Sequence, residues 1–123
     1  MTLNRPLVLA ACMSGALSVA LGAFAAHGAS PSVKSLLTTG AQYQMVHAVL
    51  AVACAIWSSG GKVARIAGWL AAGGGLIFCL ALAMIGLLSL PVMGAVAPVG
   101  GTLMIAGWIV LAIAAFRSHN VNA

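Results

Sequence analysis

The stretch IAGWLAAGGGLIFCLALAMIGLLSL, Ile66 to Leu90, sets the architecture of the chain. It runs 25 residues without a charge. As a helix rising about 1.5 Å per residue, it outruns the roughly 30 Å hydrocarbon core of a bilayer. Three more segments have the same character: Leu7 to about Ala26, about Ala41 to Trp57, and Val99 to Phe116. Four spans of about 20 residues each leave only short loops in a chain of 123 residues. Composition agrees, with 63% hydrophobic and 4% charged residues and a mean hydropathy of +1.19. A soluble domain carries about 25% charged residues, and a disordered chain is poor in apolar ones, so both classes are excluded. The expected architecture is all-α: one integral membrane four-helix bundle over residues 1–123, with short loops.

The charges are five Lys and Arg, with no Asp or Glu. Without a carboxylate the side chains cannot form an ion pair, a carboxylate metal site or a carboxylate proton relay. Four-helix exporters that couple to protons through an embedded Glu are excluded on the same ground. The net charge of +5 suits anionic lipid head groups or acidic partner subunits. Its scatter along the chain speaks against nucleic acid. Arg5, Lys62, Arg65 and Arg117 fall on one side of the expected topology, and Lys34 on the other. The excess of positive charge predicts both termini in the cytoplasm, or in the matrix of a mitochondrion. Trp57, Trp69 and Trp108 are expected near span ends, where interfacial Trp residues collect.

Leu9-Ala10-Ala11-Cys12 has the look of a lipoprotein processing site, but the apolar run before Cys12 is too short for a signal core. The first segment is expected to stay as a helix. Cys12, Cys54 and Cys79 lie in apolar runs with no CxxC spacing and read as small hydrophobic side chains. Met45, Met84 and Met104 read as gap fillers. His27 to Gly40 reads as a loop, with an interfacial helical turn over 32–39 and with Ser30-Pro31 as an N-cap and first-turn proline. Ser58 to Gly61 breaks the chain before the third span, and Pro91 and Pro98 bracket a short apolar loop.

Helices in lipid associate through close backbone approach, so small residues line their contacts. Ser14, Ser18, Gly22 and Ala26 form one such stripe, and Ala71, Gly75, Cys79 and Ala83 another. Both are expected to pack inside the bundle. Gly73-Gly74-Gly75 lacks the Lys-Ser/Thr and the strand of a phosphate loop. The candidate site is the polar cluster His27, Tyr43, Gln44 and His47 on the outer side, where His27 and His47 are expected to approach each other. Gln44, His47 and Cys54 share a helix face. Three readings compete: an interhelical hydrogen-bond network, a pocket for a lipid or quinone head group, and a metal or haem site. Two histidines with no third ligand are weak metal evidence, so the expectation is no metal, no cofactor and no catalytic constellation. His119 is expected to be solvated.

The segments Leu21 to Gly28 (LGAFAAHG), Gly40 to Ala48 (GAQYQMVHA), Ala97 to Gly101 (APVGG) and Gly107-Trp108 resemble domain of unknown function 423. This family of small membrane proteins includes the YgdD-like bacterial proteins and mitochondrial relatives. The resemblance covers nearly the whole chain and implies a four-helix inner-membrane protein, but no reaction. The family's hydroxyl-bearing segment on the third helix reads Ile77 to Ala83 here; Phe78 is kept and the polar groups are replaced. The expected role is that of a non-catalytic accessory or structural subunit of a larger membrane complex, with a respiratory host suggested by the family. The alternatives are a small channel or transporter, or a homo-oligomer binding lipid or quinone. The expected location is the bacterial inner (plasma) membrane, or else the mitochondrial inner membrane. The expected partners are lipids and other membrane subunits or self.

Overall fold

The computed structural model describes residues 3–118. It contains four long helices: α1 (Arg5–His27), α2 (Pro31–Ile56), α3 (Gly61–Leu88) and α4 (Ala97–Arg117). All four are long and apolar enough to cross a membrane. Single 3-10 turns at Ser58–Gly60 and Pro91–Ala95 join α2 to α3 and α3 to α4. His119 lies outside the described residues.

Local chemistry sets the helix ends. The Asn4 side chain caps α1 by accepting from the Leu7 N–H at 3.3 Å, and Pro6 occupies the first turn. The Asn4 N–H donates to the Ala55 carbonyl at 3.2 Å, which ties the start of α1 to the end of α2. α3 starts after a turn with Gly61 at φ +64° and stops at Ser89, which is left-handed at φ 53°. α2 starts at Pro31, ten residues before the start read from hydropathy. Residues 31–40 carry Lys34 and several hydroxyls, so their hydropathy is low. They are helical all the same, because Pro31 follows Ser30 at the first turn and Leu37, with Val33 beside it, packs against Ala25 and Ala83. The expected loop of 27–40 shrinks to Gly28–Ser30.

α3 packs along both α2 and α4, and α1 lies on α2; among the described residues no seam joins α1 to α4. The layer order is therefore α1, α2, α3, α4, a bundle open along one side. Half of an apolar 18-residue stretch of α2 is buried, against 22% of such a stretch in α1 and in Pro91–Arg117. The packed interior is built from small side chains, chiefly alanines with Cys54, Cys79, Ser14 and Ser18. Large apolar residues such as Leu9, Val19, Ile105 and Phe116 face outward. This inverts a soluble protein, because lipid is as apolar as leucine and only close packing and hydrogen bonds favour helix contact.

The glycines of α3 set the closest approaches. A Cβ on Gly74 would stand 2.8 Å from the Gly100 carbonyl oxygen, and one on Gly100 would stand 2.5 Å from the Phe78 nitrogen, so α3 and α4 meet backbone to backbone. A Cβ on Gly75 would lie 3.3 Å from the Gln44 Cα and the His47 Cβ. Gly74 therefore faces α4 while Gly75 faces α2. The stripe Ala71, Gly75, Cys79 and Ala83 is buried along its whole length. On α1 the fourfold stripe fails at its end: Ala26 is exposed and Ala25 is buried. A spacing of four residues overshoots a turn by about 40°, so three steps carry the stripe about a third of the way round the helix. The buried set Leu7, Ala11, Ser14, Ser18 and Ala25 keeps to spacings of three, four and seven.

Candidate functional site

The longer α2 moves the polar cluster. Gln44 is the fourteenth of its 26 residues, so Gln44 and His47 lie near the middle of the span and not at its outer end. His27 ends α1, exposed, next to the turn into α2. His47 follows Pro31 by sixteen residues, about 24 Å along the α2 axis. The expected approach of His27 to His47 therefore fails. His27 instead sits in the last turn of α1, where a basic residue complements the helix dipole.

What gathers at mid-span comes from every helix. Gln44 is fully buried, and its Nε2 donates to the Ser14 hydroxyl on α1 at 3.0 Å. Its Oε1 has no hydrogen-bond partner among the described residues. His47 is buried on the α3 and α4 side. The indole N–H of Trp108 donates to His47 Nε2 at 3.0 Å. An indole can only donate, so Nε2 is the acceptor and the ring proton sits on Nδ1. Nδ1 lies 2.7 Å from the Tyr43 carbonyl and donates to it. Gly75 supplies the thin surface of α3 against which Gln44 and His47 rest.

The rings extend the cluster. Tyr43 and His47 are near parallel with centroids 6.4 Å apart, Tyr43 meets Phe78 edge-on at 5.2 Å, and His47 meets Trp108 edge-on at 6.0 Å. Tyr43, Phe78, Ile105 and Trp108 border a groove of about 400 Å³ that opens outward. The Tyr43 ring is half exposed. A second groove, of about 630 Å³, runs between α1 and α2 past Gly22, Ala41, Gln42 and Val46.

This arrangement limits the chemistry. Both nitrogens of His47 are engaged, so it has no free lone pair for a metal or haem iron and no free N–H for a quinone oxygen. Of the four residues singled out from sequence, Tyr43, Gln44 and His47 stand together and His27 stands apart. Ser14 and Trp108 complete the network and were not in the candidate set. Trp108 is the twelfth of the 21 residues of α4, a mid-span position and not an interfacial one. Counting from Pro98 would have shown this. Ser14 carried a signal as well, as a buried member of the α1 stripe facing α2.

Comparison with known proteins follows the same segments. Residues 21–101 match the model for the protein of unknown function DUF423. That interval contains Gln44, His47 and the α3 glycines.

The chain belongs to the DUF423 family.

Its relatives carry the name UPF0382 membrane protein. One from Haemophilus influenzae is 41% identical, over 96% of this chain and 98% of its own length. YwdK of Bacillus subtilis is 31% identical, over 89% and 95%. SH2409 of Staphylococcus haemolyticus is 34% identical, over 82% and 87%. No solved structure matches the chain. This DUF423 protein is therefore a membrane protein from a family of unknown function. Ser14 and Trp108 lie outside the interval matched by the family model.

Proposed function

We propose that this DUF423 protein is a non-catalytic, multi-pass protein of the bacterial inner membrane that acts as an accessory or structural subunit, docking on other membrane helices. One observation carries the reading. The buried His47 is fully engaged by Tyr43 and Trp108, and Gln44 by Ser14 on one side, while Gln42 and Tyr43 project outward at the same depth. The interior then offers neither a reactive constellation nor a run of polar groups for a solute to follow. Polar groups at membrane depth are costly and find partners, so those left facing outward favour contact with another molecule. Arg5, Lys62, Arg65 and Arg117 are all exposed at helix ends on one side of the bundle. They favour cytoplasmic termini and contact with anionic head groups. A respiratory host rests on the family's mitochondrial relatives alone.

The test is extraction of native membranes in mild detergent, capture through a C-terminal tag and identification of companions by mass spectrometry. Stoichiometric recovery of a membrane complex is the expected result. Solute flux through liposomes holding the purified protein overturns the reading. A lipid or quinone reading retains one supporting feature, the groove beside Tyr43 and Trp108. Within it Tyr43, and not His47, is the donor on offer.

A further inference from the structure

α2 is an inner helix, yet one of its faces is bare. Thr39, Gln42, Val46, Val49, Ala53 and Ile56 are all exposed. Their spacings alternate three and four, the period of a left-handed helix pair. No charge falls on this face between Thr39 and Ile56. The face is a ridge between two grooves, since Gln42 and Val46 line both the 630 Å³ groove towards α1 and a 410 Å³ groove towards Trp108.

Gln42 makes this face unlike the others. It is the twelfth of the 26 residues of α2, so it lies near the bilayer midplane, about 16 Å from the start of the helix. Its amide makes no hydrogen bond to a described residue. Thr102, the exposed hydroxyl on α4, is satisfied within its own helix by the Pro98 carbonyl at 2.8 Å. In hydrocarbon no water is present to satisfy an amide. The amide is also self-complementary, since an identical group at the same depth can exchange an N–H···O=C bond with it in each direction. A two-fold axis along the membrane normal provides that group, because it brings each residue of the ridge to its own copy.

We propose that the face of α2 from Thr39 to Ile56 pairs with the same face of a second copy of this chain, with Gln42 bonded to Gln42 of the partner subunit at the centre of a left-handed, parallel seam. The β-branched Val46 and Val49 and the small Ala53 pack the rest of the seam. The four-to-one distribution of basic residues gives both copies one orientation, which puts equal depths opposite each other. The proposal deepens the docking reading above and rests on it for the outward role of this face.

The experiment uses the full chain, labelled separately with donor and acceptor dyes and reconstituted in phosphatidylethanolamine/phosphatidylglycerol liposomes over a range of protein-to-lipid ratios. Wild type is expected to show energy transfer that saturates at a 1:1 stoichiometry. Gln42→Leu is expected to need about tenfold more protein per lipid for half-association, as for polar pairs in model membrane peptides. Gln42→Asn is expected to lie near wild type. Gln42 is exposed, so these variants leave the interior of the protomer alone, and near-ultraviolet dichroism verifies that. In a background with Cys12, Cys54 and Cys79 replaced by Ala, Val49→Cys is expected to cross-link on mild oxidation and Ile109→Cys is not. Wild type that stays monomeric at the highest ratio, Gln42→Leu that associates like wild type, or cross-linking through Ile109→Cys alone overturns the proposal. If companions are still captured from membranes while self-association fails, the dimer falls and the docking reading stands.

Discussion

Gly100→Ala adds one methyl group where α4 crosses α3. On the native backbone that carbon stands 2.5 Å from the Phe78 nitrogen, 2.7 Å from the Gly74 oxygen and 2.9 Å from the Phe78 Cα. All three are main-chain atoms and cannot rotate away. Ordinary contact begins near 3.4 Å, so α4 must retreat by about 0.9 Å at this crossing. A gap of 0.5–1 Å forfeits about a quarter to a half of the dispersion between facing atoms. Overpacking of this kind costs about 1–3 kcal/mol. Alanine recovers up to about 1 kcal/mol in helix propensity, so a net loss of about 1–2 kcal/mol is expected. Gly101→Ala is the matched control: it adds the same methyl to the next residue of the same helix, where nothing lies within 4 Å. It should leave stability unchanged or raise it slightly. The assay is reversible unfolding in mixed micelles at increasing SDS mole fraction, followed by tryptophan fluorescence. Gly100→Ala as stable as Gly101→Ala would refute the claim that backbone contact between α3 and α4 holds this half of the bundle together.

Other outcomes follow from the mid-span network. Ser14→Ala removes the one partner of the buried Gln44 amide and should cost about 1–3 kcal/mol; in a Gln44→Met background the same change should cost much less, since no amide remains to be stranded. Gln44→Met alone is expected near wild type, and a loss as large as that of Ser14→Ala counts against the account of Gln44. For His47 and Trp108, a cycle of His47→Phe, Trp108→Phe and the double variant should give a coupling of about 0.6 kcal/mol, the mean for polar pairs in membrane bundles, and at most about 1.7; zero coupling argues that the 3.0 Å contact contributes nothing. For topology, single cysteines at Ser32 and Ser59 in a cysteine-free background should react with an impermeant maleimide from opposite sides of the membrane, with Ser32 labelled in intact spheroplasts. Labelling of Ser59 there inverts the orientation drawn from the basic residues.

Much of the architecture can be read from the residues, because hydrocarbon imposes so few solutions. Twenty-five uncharged residues at Ile66–Leu90 leave little choice but a span. The α3 stripe was legible as well, and Ala71, Gly75, Cys79 and Ala83 are all buried. The start of α2 was not. Hydropathy reports how a residue prefers its solvent, and Lys34, Ser35, Thr38 and Thr39 suggest water, while the backbone there continues a helix from Pro31. A helix that starts at Ala41 puts Gln44 and His47 at an outer end with His27 beside them, whereas the start at Pro31 puts them at mid-span. The partners of the site were hidden for another reason. A hydrogen bond between α2 and α4, 61 residues apart in the chain, depends on which face of α3 each helix uses, and the run Gly73 to Gly75 offers several.

The layer order α1, α2, α3, α4 bears on the order of synthesis. Each span packs on the one made just before it, so α1 and α2 can form their seam, and α3 can dock on α2, while the ribosome is still producing the rest. His47 enters with the second span, and its acceptor nitrogen stays unanswered through the third. Trp108 arrives only with the fourth. The last helix therefore delivers the final hydrogen bond of the interior, and a nascent chain halted after Leu90 lacks the indole donor that His47 Nε2 accepts from.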